Sequence, residues 1–149
     1  MAASACTSPT GTPPLEVVVT RVVDGDTLDV TVQRAVTERV RLIGIDTPES
    51  VRPGETPECF GPEASRRLNE LTPPGTPVRL ERDVEARDPF GRLLAYVYVG
   101  DDMVNMTLAR EGYADALSIP PNTAFERDFR TAVAAARGRR SGLWGVCTR

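Results

Sequence analysis

LEVVVTRVVDGDTLDVTVQRAVTERVRLIGI, residues 15–45, reads as three consecutive strands. Residues 15–23 are rich in β-branched side chains, which suit a pleated strand. Asp24-Gly25-Asp26 follows as a turn signal. Residues 27–33 then alternate, with Leu28, Val30 and Val32 on one face, so they form the return arm of a hairpin. Residues 37–45 are a third strand, with Val40, Leu42 and Gly44 facing one way and Arg41, Ile43 and Ile45 the other. Asp46-Thr47-Pro48-Glu49 ends it, because Pro48 cannot donate to a ladder and biases Thr47 away from helix.

Further along, residues 50–58 form a polar loop. Gly61-Pro62-Glu63 opens a helix with proline in its first turn, and Ala64, Leu68 and Leu71 share a face. Thr72-Pro73-Pro74-Gly75 stops it. A fourth strand spans 78–84, a loop 85–91 and a fifth strand 93–99. Residues 103–111 form a short helix with Asp102 as its cap and Gly112 just past its end. Thr123 to Glu126 has capping-box spacing, followed by Phe125, Phe129, Ala132, Val133 and Ala136 on one helical face. The tail, 137–149, is irregular. Three meandering strands, a helix, a strand pair and two helices is OB-fold order. The expected class is α+β: a five-stranded OB-fold β-barrel with three α-helices packed on it.

The 149 residues are the size of one domain. Residues 1–14, MAASACTSPTGTPP, carry no charge and consist almost wholly of small residues and proline. They form the expected disordered tether ahead of a domain at 15–149. Ala3-Ser4-Ala5-Cys6 resembles the end of a bacterial lipoprotein signal, though no apolar signal core precedes it. A plain linker cysteine is the alternative. No apolar run reaches the roughly 18 residues of a membrane span. There are 18 basic and 21 acidic residues, a net charge of −3, and no histidine. All the cations are arginine, so histidine bases, histidine–metal sites and lysine Schiff bases are excluded. The remaining groups favour hard cations through carboxylates and phosphate through arginine. Cys6, Cys59 and Cys147 lack zinc spacing.

Acid and arginine concentrate at three strand ends: Asp24-Gly25-Asp26-Thr27, Arg41 to Glu49, and Asp88-Pro89-Phe90-Gly91-Arg92. Each alone suits turn chemistry, a cap or a solvated charge. Together with VVDGDTL at 22–28, RLIGIDTPE at 41–49, FGPEAS at 60–65, FGRLLAYVY at 90–98 and MVN at 103–105, the chain resembles the staphylococcal nuclease (thermonuclease) family from about residue 19 to 144. The resemblance implies an OB barrel with three helices. It also implies a calcium-dependent phosphodiesterase that cuts DNA and RNA and leaves 3′-phosphate ends. It assigns calcium to Asp26, Asp46 and the Thr47 carbonyl, with Asp24 acting through water. Glu49 orients or deprotonates the attacking water. Arg41 and Arg92 hold the scissile phosphate. Arg41 and Glu49 would lie roughly 26 Å apart on an extended strand. They can share a phosphate only if the chain folds back after Asp46.

The family's nucleotide-pocket tyrosine is Phe90 here, the lysine before it is Pro89, and two base-stacking tyrosines give way to Leu117 and Ile119. Weaker, more salt-sensitive substrate binding is therefore expected. In the family fold the chain end packs near the first helix, so a Cys59–Cys147 disulfide is expected, with two unrelated buried thiols as the alternative. A secreted or cell-envelope monomer follows from the same resemblance. The rival function is a noncatalytic OB-fold nucleic-acid-binding module.

Overall fold

The computed structural model describes residues 15–148. The tether at 1–14 and Cys6 lie outside the described residues. β1 (Val17–Asp24), β2 (Thr27–Val32) and β3 (Val36–Leu42) form the expected meander. β4 (Gly44–Asp46) follows, then α1 (Gly61–Leu71), β5 (Arg79–Glu81) and β6 (Leu93–Val99). β7 (Asp102–Met103), α2 (Val104–Arg110), β8 (Asp115–Leu117), α3 (Glu126–Gly138) and the single turn α4 (Leu143–Val146) complete the chain. The sheet runs β1-β2-β3-β6-β5, and β3 pairs with β6 in parallel. The segment just ahead of β5 meets β1, the other edge, through backbone bonds. Val19 N–H donates to the Thr76 carbonyl at 2.9 Å, and Val78 N–H to the Val17 carbonyl at 2.9 Å. This is the five-stranded Greek-key order expected of an OB fold.

Leu28, Val30, Val40, Leu42 and Val97 fill the barrel and are fully buried. α1 covers one side with Ala64 and Leu68, and α3 another with Phe129, Val133 and Ala136. These are the faces that helical spacing selects.

The third strand is broken where the sequence suggests continuity. Gly44 has φ +83°, so the chain turns out of β3 and starts β4, which pairs with β8 instead of the main sheet. The break strands backbone groups, and buried Asn105 satisfies them. Its Nδ2 donates to the Ile43 carbonyl at 2.8 Å and the Ala95 carbonyl at 3.2 Å, and its Oδ1 accepts Val97 N–H at 2.9 Å. A Cβ on Gly44 would lie 2.1 Å from the buried Phe129 ring. Strained backbone and overpacking then act together, so Gly44→Ala is expected to cost about 2–5 kcal/mol. Denaturant unfolding checks this, and an unchanged midpoint would refute it.

Other expectations need correction. The fourth strand stops at Glu81 because Asn122 Oδ1 takes the Val84 and Glu85 N–H groups at 2.9 and 2.8 Å, drawing the chain off the ladder. Asp102 belongs to β7, and Met103 occupies the cap position of α2. The Thr123–Glu126 capping box does not form. α3 begins at Glu126 with Phe125 at its cap, and Glu126 N–H reaches the Thr123 backbone carbonyl at 3.2 Å. The tail continues α3 to Gly138 and then makes the α4 turn, seated by buried Leu143.

Cys59 and Cys147 are joined by a disulfide, with Cα atoms 5.9 Å apart and 88 residues of separation. It fastens α4 to the segment entering α1.

Candidate active site

Three pieces of chain converge at one end of the barrel. The β1–β2 turn brings Asp24 and Asp26, each under a tenth exposed. β3 brings Arg41, and β4 with its following loop brings Asp46, Thr47 and Glu49. The parallel pairing of Val40 with Leu93 sets Arg92, one residue before β6, beside them. Asp24, Asp26, Arg41, Asp46, Glu49, Phe90 and Arg92 line one open cleft of about 430 Å³.

The fold-back after Asp46 is held from below. Thr47 N–H donates to Asp26 Oδ2 at 3.1 Å, and Thr27 Oγ1 donates to Asp26 Oδ1 at 3.1 Å. Glu49 N–H donates to Glu58 Oε2 at 3.0 Å, while Glu58 N–H returns to the Glu49 carbonyl at 2.8 Å. The turn and loop touch closely at Gly25, where a Cβ would fall 2.6 Å from Thr47 Oγ1. Only glycine lets the two acid-bearing segments meet so closely.

Asp24 serves this loop in a way its sequence position does not reveal. Its Oδ1 accepts Gly25 N–H at 2.8 Å, Ser50 N–H at 3.2 Å, Ser65 Oγ–H at 3.3 Å and the Ser50 hydroxyl. A hydrogen bond shared with Asp24 and then burial hold the Glu49 carboxyl above the usual carboxylate range.

Arg41 is mostly buried. Its Nη2 lies 3.2 Å from Asp26 and 3.4 Å from Asp46. Its Nη1 donates to the Ile45 carbonyl at 3.0 Å and to the Leu42 carbonyl, so the side chain spans the strand break. Loss of solvation and then the charge of Asp26 push the Asp46 carboxyl up, against the pull of Arg41. Arg92 is fixed by Asp88, whose Oδ2 accepts its Nε–H at 2.7 Å. Burial raises the Asp88 carboxyl, but Arg92 and the Phe90 and Arg92 backbone donors outweigh it and leave it below its ordinary value. The Phe90 ring is 86% exposed, with the Arg92 guanidinium 5.7 Å from its centroid.

Among the described residues, no three acidic or cysteine side chains meet in metal-binding geometry. Asp26 and Asp46 are a like-charged pair of hard oxygen donors, however, and their repulsion adds to the loss of solvation that raises Asp46. A pair of carboxylates is a donor set that suits a hard divalent cation, which keeps positions for water or phosphate. Leu117 and Ile119 line a neighbouring, more apolar pocket of about 250 Å³ with Pro89, Leu94 and Pro120.

Two site residues escape sequence reasoning. Glu58, which holds Glu49, lies in a polar loop with no pattern. Arg39 also lines the cleft. It lies two residues from Arg41 on β3, so strand alternation placed both on one face.

A family profile described as staphylococcal nuclease homologue matches residues 39–146. The thermonuclease of Staphylococcus intermedius is 42% identical over 127 residues, 85% of this chain and 74% of that protein. The thermonuclease of Staphylococcus hyicus is 39% identical over 127 residues, 85% of this chain and 73% of that protein. Endonuclease YncB of Bacillus subtilis is 36% identical over 132 residues, covering 87% of this chain and 62% of its own. The profile takes in Arg41, Asp46, Glu49 and Arg92 of the cleft, and the chain belongs to the staphylococcal nuclease family, as a nuclease that hydrolyses phosphodiester bonds.

Proposed function

We propose that the cleft hydrolyses DNA and RNA with calcium as cofactor and leaves 3′-phosphate ends. The observation that carries this reading is the convergence of Asp26, Asp46, Glu49, Arg41 and Arg92 on one cleft. Asp26, Asp46 and the Thr47 carbonyl would hold the cation, with Asp24 reaching it through water. A bound cation supplies charge neutralisation at the phosphate. The rest falls to the chain's own groups. Arg41 and Arg92 present guanidinium donors to the phosphate oxygens, in bonds that strengthen as charge develops. Glu49 accepts a hydrogen bond from the attacking water and takes its proton, a role favoured by its raised affinity for one. Phe90 offers an exposed ring to a nucleotide. Leu117 and Ile119 give apolar contact where stacking rings would bind more strongly, so affinity for single strands is weak and salt-sensitive.

We also assign the protein to the cell exterior or envelope, since the Cys59–Cys147 disulfide suits an oxidising compartment. The chain acts as a monomer on this reading, with residues 15–149 as the nuclease domain. Cys6 as a lipid anchor belongs to the same proposal.

Digestion of plasmid DNA and single-stranded RNA, with calcium and then with excess chelator, tests the activity, and end-group analysis tests the products. Asp26→Asn and Asp46→Asn should abolish calcium-dependent cleavage while thermal unfolding still shows a folded protein. Full activity in chelator would overturn the cofactor assignment.

A further inference from the structure

A row of charge crosses the outer face of the barrel beside the cleft. Arg21 on β1 pairs in register with Asp29 on β2, and Asp29 with Arg39 on β3. Asp29 is nearly buried, and both arginines grip it. Arg39 donates through Nε at 2.9 Å and Nη2 at 3.2 Å, and Arg21 through Nε at 2.9 Å. The Arg39 hydrogen bonds, then that of Arg21, outweigh burial and keep the Asp29 carboxyl below its ordinary range, so it stays charged.

One carboxylate therefore holds two guanidiniums, and the group keeps an excess positive charge. Among the described residues, no protein acceptor meets Nη1 of Arg39 or either Nη of Arg21. The Arg39 and Arg21 side chains are 45% and 64% exposed, against 10% for Asp29. An ion pair whose cations stay this open contributes little to stability, but it fixes where the free donors point.

Arg39 also stands two residues from Arg41, on the same face of β3 and in the same cleft. Strand geometry sets their Cα atoms about 6.6 Å apart, a distance comparable to one nucleotide step along an extended strand.

We propose that Arg39 and Arg21, positioned by Asp29, form a second phosphate site that takes the phosphodiester group next to the scissile one on a polynucleotide. This rests on the reading of the cleft as the place of cleavage, and it makes a polymer a better substrate than an isolated phosphodiester. The two arginines bind and position the strand and take no part in bond breaking.

The test uses the full chain and a fluorescein-labelled oligothymidylate in chelator, so that binding is read without cleavage. Anisotropy titrations at several salt concentrations compare wild type with Arg39→Gln, Arg21→Gln and the double variant. Each single variant should weaken binding roughly three- to tenfold. The double variant should lower the slope of log affinity against log salt by about 0.7, one single-strand phosphate contact. With calcium, Arg39→Gln should raise KM on the oligonucleotide more than it lowers kcat, and its fall in kcat/KM should be several-fold larger on the oligonucleotide than on a dinucleoside monophosphate. Arg79→Gln, on β5 and outside the cleft, should match wild type throughout. A wild-type slope in the double variant, an equal fall in Arg79→Gln, or equal effects on both substrates would overturn the second site. Binding that behaves as expected in a protein that cleaves nothing would refute the hydrolytic reading and leave the phosphate site standing.

Discussion

Arg41→Lys is expected to lower kcat by about 10²–10³-fold, the scale set by losing one preorganised donor to a transition-state oxygen. The substitution keeps the charge but loses the planar fork. In this protein the fork has two duties. Nη2 faces Asp26 and Asp46, and Nη1 reaches the Leu42 and Ile45 carbonyls across the strand break. A lysine ammonium can serve one of these places and not both. Steady-state kinetics on DNA measures the fall, which should sit in kcat more than in KM. Thermal unfolding separates the duties, because loss of the backbone bonds also lowers stability. A lysine variant that cuts at the wild-type rate would remove Arg41 from the phosphate clamp.

Breaking the Cys59–Cys147 bond is expected to destabilise the fold by up to about 4–5 kcal/mol, the chain-entropy value for a closed loop of this length. For a domain of this size that is a fall in Tm of about 10–15 °C. The four-residue α4 has no stability of its own. It is seated by buried Leu143, whose N–H donates to the Gly112 carbonyl at 2.8 Å, and by the disulfide. Cys59 also follows Glu58, which holds the Glu49 backbone. Reduction should therefore loosen the Glu49 loop and lower kcat before the protein unfolds. Calorimetry of Cys59→Ser/Cys147→Ser against wild type measures the stability term. Thiol titration of the denatured, unreduced protein should find at most one thiol, that of Cys6 where it carries no lipid, and three would refute the bond.

The barrel, its helices and the residue types at the cleft are legible in local sequence patterns. Strand alternation in 27–33 and helical spacing from Ala64 to Leu71 are local properties. Each follows from which side chains leave water, and the core obeys them. The absence of histidine and lysine left carboxylate and arginine to do the work before any contact was known. The family motifs picked out Asp26, Arg41, Asp46, Glu49 and Arg92, and the structure brings all five to one cleft.

How those residues are held depends on contacts between segments distant in sequence. Nothing local marks the break at Gly44, because Ile43, Gly44 and Ile45 read as strand. The break depends on Asn105, sixty-two residues from Ile43, meeting the carbonyl it strands, and on the Phe129 ring filling the space beside Gly44. Asp24 ties down Ser50 and Ser65, and Asn122 draws residues 84 and 85 off the sheet, through partners far away in sequence. The three-residue β8 carries too few side chains to show a period, and its pairing with β4 supplies the signal instead. Periodicity reports burial, which is a property of one segment. Hydrogen-bond satisfaction of a buried or bent backbone is a property of two segments, so it becomes visible only when the chain has folded.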